Sequence, residues 1–238
     1  MHILFLILIG AGAGFVQRVS GFGLGIFAML FLPHFMPSHM QAAAISSIFS
    51  LGTSSFNAIK YRKNIDYKTV FPMLISALVT TTVAVWFSAK VTAGIFELLL
   101  GLVLIILSLY FLFFSSKISI KPNLANSITS GTLSGVLSGL FSTGGPPAVL
   151  YLTNATPDKM VYFASIQFFF SLTNVYATAV RAVSGVITAD VIVYSLIGLI
   201  GCMAGDFLGK IVFSRLNSEK LKKIIYRAMI ISGILMLI

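Results

Sequence analysis

GLFSTGGPP, residues Gly139–Pro147, sets two glycines and two prolines in the middle of an apolar stretch. In a water-soluble chain this would be a loop. Here Gly131–Leu140 on one side and Ala148–Leu152 on the other are both largely apolar. Glycine lets the backbone turn, and proline suits the first turn of a new helix. The reading is a hairpin. Leu124 to about Ser142 forms one arm, STGG the tip, and Pro146 opens a short return arm.

The composition places that hairpin in a bilayer. Of 238 residues, 58% are hydrophobic and 9% charged, against about 25% charged in soluble domains. Apolar blocks near 1–16, 40–59, 69–89, 92–115, 124–142, 160–180, 190–209 and 221–238 approach or reach the length of a membrane-crossing helix. No room is left for a soluble domain. Cys202 is the single cysteine, which excludes an internal disulfide or a cysteine metal cluster. The start, MHILFLILIGAGAG, lacks the basic region of a signal peptide and reads as mature sequence. The net charge of +10 is assigned to loops that set orientation rather than to nucleic-acid binding.

A displacement of 121 residues superimposes the two halves without a gap. Gly10, Gly14 and Gly23 fall on Gly131, Gly135 and Gly144, and Phe49-Ser50-Leu51 falls on Phe170-Ser171-Leu172. Ala77, Thr80, Ala84 and Ser88 fall on Gly198, Gly201, Gly205 and Gly209, and Lys60 on Arg181. The expected units are 1–117 and 122–238, two repeats of one membrane domain. Charge decides their relative sense. If 1–37 and 122–158 are re-entrant hairpins, each half has three full crossings and the repeats are inverted. The basic residues of 60–68, Lys117, Lys121, Lys159 and 210–227 then share the cytoplasmic face, leaving Lys90 and Arg181 outside and Arg18 at depth. Straight crossings would divide the basic residues almost evenly, against the positive-inside rule. The expected fold is therefore an all-α integral membrane protein of two inverted four-segment repeats. Each repeat is a re-entrant hairpin followed by three transmembrane helices.

The first tip is QRVSGFG, Gln17–Gly23, with a return arm to about Phe35. A dozen helical residues cover about 18 Å, short of a hydrocarbon core of about 30 Å. Irregular backbone at that depth needs protein or water around it, so the tips are expected to mark the functional centre. Helix starts carry unpaired N–H groups and partial positive charge. Gly21, Gly23, Gly144 and Gly145 let an anion come close, and Ser20, Ser142 and Thr143 add hydroxyls. Broken helices aimed at a midplane substrate recur in transporters; close packing is the plainer use of the same glycines. Arg18 carries the argument furthest. A guanidinium at bilayer depth is costly, no acidic residue shares its tip, and it can offer paired donors to an oxyanion.

Gln17, Asn57, Gln167 and Asn174 are polar side chains in apolar surroundings. Gln167 and Asn174 lie two turns apart on one helix face and suit a cavity or a helix interface equally. Lys60 and Arg181 end helices on opposite faces and could draw anions into two vestibules. Asp206 and Lys210 are spaced one turn apart and expected to pair, with a coupling proton on Asp206 as the alternative. Glu97 lies one turn into a helix, where it suits the dipole. The spacing of His34 and His39 is poor for a shared metal. Gly201, Gly205 and Gly209 form a small-residue stripe for helix packing. No hydrolase, metalloprotease or phosphate-loop motif occurs, so no enzyme activity, metal or cofactor is expected.

With GAGAGFVQRVSGFGLG and GLFSTGGPP seen as paired tips, the chain resembles the TauE/SafE family over essentially its whole length. That resemblance implies a bacterial inner-membrane transporter exporting sulfite or organosulfonates. The expected function is a secondary transporter working by alternating access, its substrate held at the midplane by the two tips. The alternatives are an anion channel or a transporter of another small carboxylate or anion. Expected partners are a small anionic solute and the lipid bilayer, with no nucleic acid; a homo-oligomer is left open.

Overall fold

The computed structural model describes residues 2–113, 120–156, 158–213, 230 and 234, apart from the side chains of His2, Ser20, Ala93, Phe111, Val212 and Phe213. The basic run 215–227 and, but for 230 and 234, the apolar block at 221–238 thus lie outside the described residues. Within them the chain is all helical. The elements are α1 (His2–Ser20), α2 (Leu24–Phe35), α3 (His39–Lys60), a 3₁₀ turn (Arg62–Asn64), α4 (Tyr67–Ser88), α5 (Ala93–Phe113), α6 (Leu124–Phe141), α7 (Gly145–Ala155), α8 (Lys159–Val183) and α9 (Ala189–Phe213).

Side-chain caps account for the starts of four helices. Ser38 accepts from the Gln41 amide at 3.3 Å to start α3, and Asp66 accepts from the Thr69 amide at 3.2 Å to start α4. Asn123 caps α6 through Asn126 at 2.8 Å, and Asp158 caps α8 through Met160 and Val161. Each oxygen takes an amide that the helix cannot satisfy itself.

Among the described residues three helices are long and apolar enough to cross a membrane: Tyr67–Ser88, Lys159–Val183 and Ala189–Ile211. Shorter apolar segments are Ile3–Val19, Leu24–Phe35 and Gly94–Tyr110. α3 has the same 22-residue length as α4, but a buried file of Ser47, Ser50, Ser54 and Asn57 dilutes its apolar character. Ile75, Val79, Val83 and Trp86 of α4, and Leu196 and Ile200 of α9, present large apolar side chains outward. Such stripes on a chain of this composition face lipid.

Two hairpins shape the interior. The Phe5 ring stacks on Phe35 at 5.3 Å, and Gly12 lies beneath Phe27, so α2 doubles back along α1. Its 12 residues reach about 18 Å. α7, of 11 residues, leaves α6 by the same kind of reversal, with Gly144 tucked against Ser134 and Ser138. α1 continues to Ser20, so the first tip is only Gly21–Gly23, shorter than the Gln17–Gly23 expected.

The remaining packing is close and small-sided. Gly201 and Gly205 of α9 lie against the α1 backbone at Ile7 and Ala11, and Gly131 and Gly135 of α6 against α4 at Met73 and Ala77. Both pairs run parallel. α3 and α8 run antiparallel between them: Ser47 meets Arg181, Ser50 meets Asn174, Ser55 meets Ser171, and Tyr61 meets Phe163.

Candidate functional site

The polar side chains converge on the α3–α8 seam. From α3 come Ser47, Ser50, Ser54 and Asn57; from α8 come Gln167, Ser171, Asn174 and Arg181, all buried. Steps of three and four residues put each set on one helix face. The two tips push into this seam from either side.

The tips meet. Gly25, in the first turn of α2, rests directly on the Ser142 carbonyl, and Gly145 packs against Phe22. A cavity of ≈ 20 Å³ lies at the junction, lined by Gln17, Gly23, Ser138, Ser142, Thr143, Gly144, Gly145 and Asn174 among others. Gly23 precedes α2 at φ 99 and Ser142 follows α6 at φ 57. Both are left-handed, a conformation that costs a non-glycine residue energy. The turn at Ser142 sends its amide back to Ser138 and the Thr143 amide to Leu137, closing the end of α6 in the manner of a left-handed helix cap. No side chain caps the start of α2 or of α7. α7 nevertheless begins Gly-Pro-Pro, and proline has no N–H. The amides free to face the cavity therefore come mainly from the first turn of α2 and from Gly144 and Gly145.

Thr143 Oγ1 is buried and has no hydrogen-bond partner. The surrounding groups are engaged. Gln17 donates to Ser54 Oγ at 3.0 Å and to Gln167 Oε1 at 3.1 Å. Gln167 in turn donates to the Gly21 carbonyl at 3.3 Å. Asn174 donates to Ser50 Oγ at 3.1 Å, and Ser142 and Ser47 share a bond of 3.0 Å between hydroxyls. Of the polar pair whose role the sequence leaves open, Asn174 lines the cavity while Gln167 pins the end of α1. Gly21 lies beside Tyr162, and the Ser20 side chain falls outside the described residues.

Arg18 is elsewhere. It lines a second cavity of ≈ 350 Å³ with Asn57, Lys60, Asp206 and Lys210, and Phe56, Met203 and Phe207 form its apolar wall. Its Nη1 donates to Asn57 Oδ1 at 3.2 Å and lies 4.0 Å from Asp206 Oδ1, and its guanidinium covers the Phe163 ring at 5.5 Å. Two expectations are corrected here. Arg18 has an acidic neighbour, because parallel packing of α1 on α9 brings Asp206 beside it. Asp206 forms its ion pair with Arg18 rather than with Lys210. Glu97 Oε1 lies 3.7 Å from His39 Nε2.

Arg181 does not line an open vestibule in this structure. It is 1% exposed, and its guanidinium donates to Ser47 Oγ at 2.6 Å and to the carbonyls of Ser138 and Gly139 at 2.9 and 2.8 Å. Two carbonyls at the negative end of α6 thus stand in for a counter-ion. Lys60, by contrast, is exposed.

Ser47, Ser50 and Ser138, absent from the sequence-based candidates, are drawn into the seam. Their signal was the serine file along α3 and the helical spacing of Ser134 and Ser138 on α6. Asp206 and Lys210 join through contacts distant in sequence.

No curated protein and no solved structure shows a significant match to the chain. The profile described as sulfite exporter TauE/SafE matches residues 6–236 of the 238. Helices with lipid-facing stripes, broken arms meeting inside the molecule and that match over nearly the full length lead to one conclusion: the chain belongs to the TauE/SafE family of membrane transporters.

Proposed function

We propose that the chain exports a small sulfur oxyanion, sulfite or an organosulfonate, by alternating access around the junction of the two tips. The observation that carries this is Thr143 Oγ1, a buried hydroxyl without a partner at the point where an uncapped helix start faces a broken helix. A buried unpaired polar group is costly, and an oxyanion acceptor would satisfy it together with the free amides.

The repeat reading is supported by the packing. Exchanging α1 with α6, α2 with α7, α3 with α8 and α4 with α9 leaves the principal helix pairings unchanged. Two equivalent helices, α3 and α8, run antiparallel, as inverted repeats require. With the Lys60 end cytoplasmic, Arg18 and Lys60 line a cavity on that side. The equivalent positions on the other side are Gly139 and Arg181, which close on each other. One side open and its counterpart shut is the arrangement an alternating-access cycle passes through. The units 1–117 and 122–238, inner-membrane residence and a cytoplasmic 60–68 loop belong to the same proposal.

The test is sulfite and taurine flux in proteoliposomes. Saturable flux is expected, reduced about fivefold or more in apparent affinity by Thr143→Val, which removes roughly one hydrogen bond. Unchanged affinity in a folded Thr143→Val protein would remove the tip site. Flux that stays linear in concentration at rates far above a transporter's would favour a channel.

A further inference from the structure

We infer that the ≈ 350 Å³ cavity beside Arg18 is a separate oxyanion site, in which Asp206 and the bound anion compete for the same guanidinium. The inference rests on the transporter reading above but concerns a different place in the molecule.

Size is the first argument. The tip cavity, at ≈ 20 Å³, admits about one water molecule. The second, at ≈ 350 Å³, falls in the range of small-ligand pockets. In this conformation only the second can receive a sulfonate or sulfite. Charge is the next. Arg18, Lys60 and Lys210 face the cavity with one carboxylate among them, an excess of positive charge suited to a small anion.

The third argument is the incomplete pairing of Asp206. Its Oδ1 is buried without a hydrogen-bond partner, and at 4.0 Å from Arg18 Nη1 it is beyond hydrogen-bond range. Arg18 spends one donor on Asn57 and retains others. Asn57 also hydrogen-bonds the carboxyl group, so the pair is close enough to neutralise each other while Oδ1 is left unsatisfied. An ionised Asp206 repels an incoming anion. A protonated Asp206 no longer holds Arg18 and can itself donate to the anion, so anion and proton binding favour each other reciprocally.

The groups facing Asp206 are Arg18 from α1, Asn57 and Lys60 from α3, and Lys210 from α9 itself; α8 contributes Phe163 over the guanidinium, which does not titrate. Asp206 is the one carboxylate that lines the cavity among the described residues.

The experiment is calorimetric titration of the purified full chain with methanesulfonate, whose charge is constant between about pH 5 and about pH 8. Wild type is expected to bind about tenfold or more tightly at the lower pH, within the usual range of coupling between sites. Asp206→Asn should bind at the higher pH as wild type does at the lower, with no pH slope. Arg18→Ala should lose about tenfold or more at every pH, with Arg18→Lys in between. Should Arg18→Ala fail to unfold cooperatively on heating, the isosteric Asp206→Asn alone decides. A wild-type pH slope in Asp206→Asn overturns the proposal. Normal binding in both variants, combined with its loss in Thr143→Val, would sink this site and leave the tip site standing. Wild type that binds neither methanesulfonate nor sulfite at any pH would remove both.

Discussion

Arg181 shows what a single charge does in this interior. It is among the largest fully buried side chains, at 1% exposure, and no carboxylate pairs with it among the described residues. The guanidinium is held by the two carbonyls of Ser138 and Gly139 and by Ser47, whose hydroxyl passes the contact on to Ser142 at the second tip. On its other side Gly139 lets α6 lie directly against α4 at Thr81 and Ala84. Removing the guanidinium leaves two helix-end carbonyls without donors and a void behind the tip. Arg181→Ala is expected to cost about 3 kcal/mol, read as a lowered unfolding temperature in detergent. Arg181→Lys keeps the charge but loses the planar fork, and should recover only part of it. Equal stability of wild type and Arg181→Ala would show that the contacts contribute nothing.

At the scale of elements, the hairpins differ although they are built alike. α2 starts after a left-handed glycine and keeps its first-turn amides; α7 starts Gly-Pro-Pro and gives most of them up. The first tip therefore supplies most backbone donors, and the second supplies Thr143 and the left-handed Ser142. What holds the tips at contact distance is Gly25. Any Cβ there would run into the Ser142 carbonyl, which is backbone and cannot swing aside. Gly25→Val should separate the tips and abolish sulfite flux in proteoliposomes. Gly94→Val, at a glycine with nothing within 4 Å, is the matched control and should transport as wild type does. Retained flux in a folded Gly25→Val protein would show that tip contact is dispensable.

For the whole molecule, the asymmetry between the two ends of the α3–α8 seam predicts unequal access. Cys202 is fully buried, its backbone against Gly10 and Gly14, so wild type should resist maleimide until denatured. In a Cys202→Ala background, Asn57→Cys, which lines the ≈ 350 Å³ cavity, should react with a small charged thiol reagent from the Lys60 side. Ser47→Cys, behind Arg181 and fully buried, should react from neither side unless transport opens the other face. Labelling of Ser47→Cys in the resting protein would mean that this end is not sealed.

Composition and local order determined much of this protein. Apolar blocks of about 20 residues with few charges cross a bilayer as helices, because each helix satisfies its own backbone groups where hydrocarbon offers no partner. The GG-PP and GFG breaks announced two short arms, since glycine and proline act on the backbone where they stand. The polar face of α8 was legible because Gln167, Ser171 and Asn174 repeat at helical spacing. Which charges meet was decided only by tertiary packing. Asp206 reaches Arg18 because small residues let α9 lie along α1 in parallel. Arg181 leaves its own helix end to sit on Gly139 because α3 and α8 cross antiparallel beneath the second tip. Residues so far apart in the chain have no common periodicity to betray them, and the cost of burying a charge says that a partner must exist without naming it.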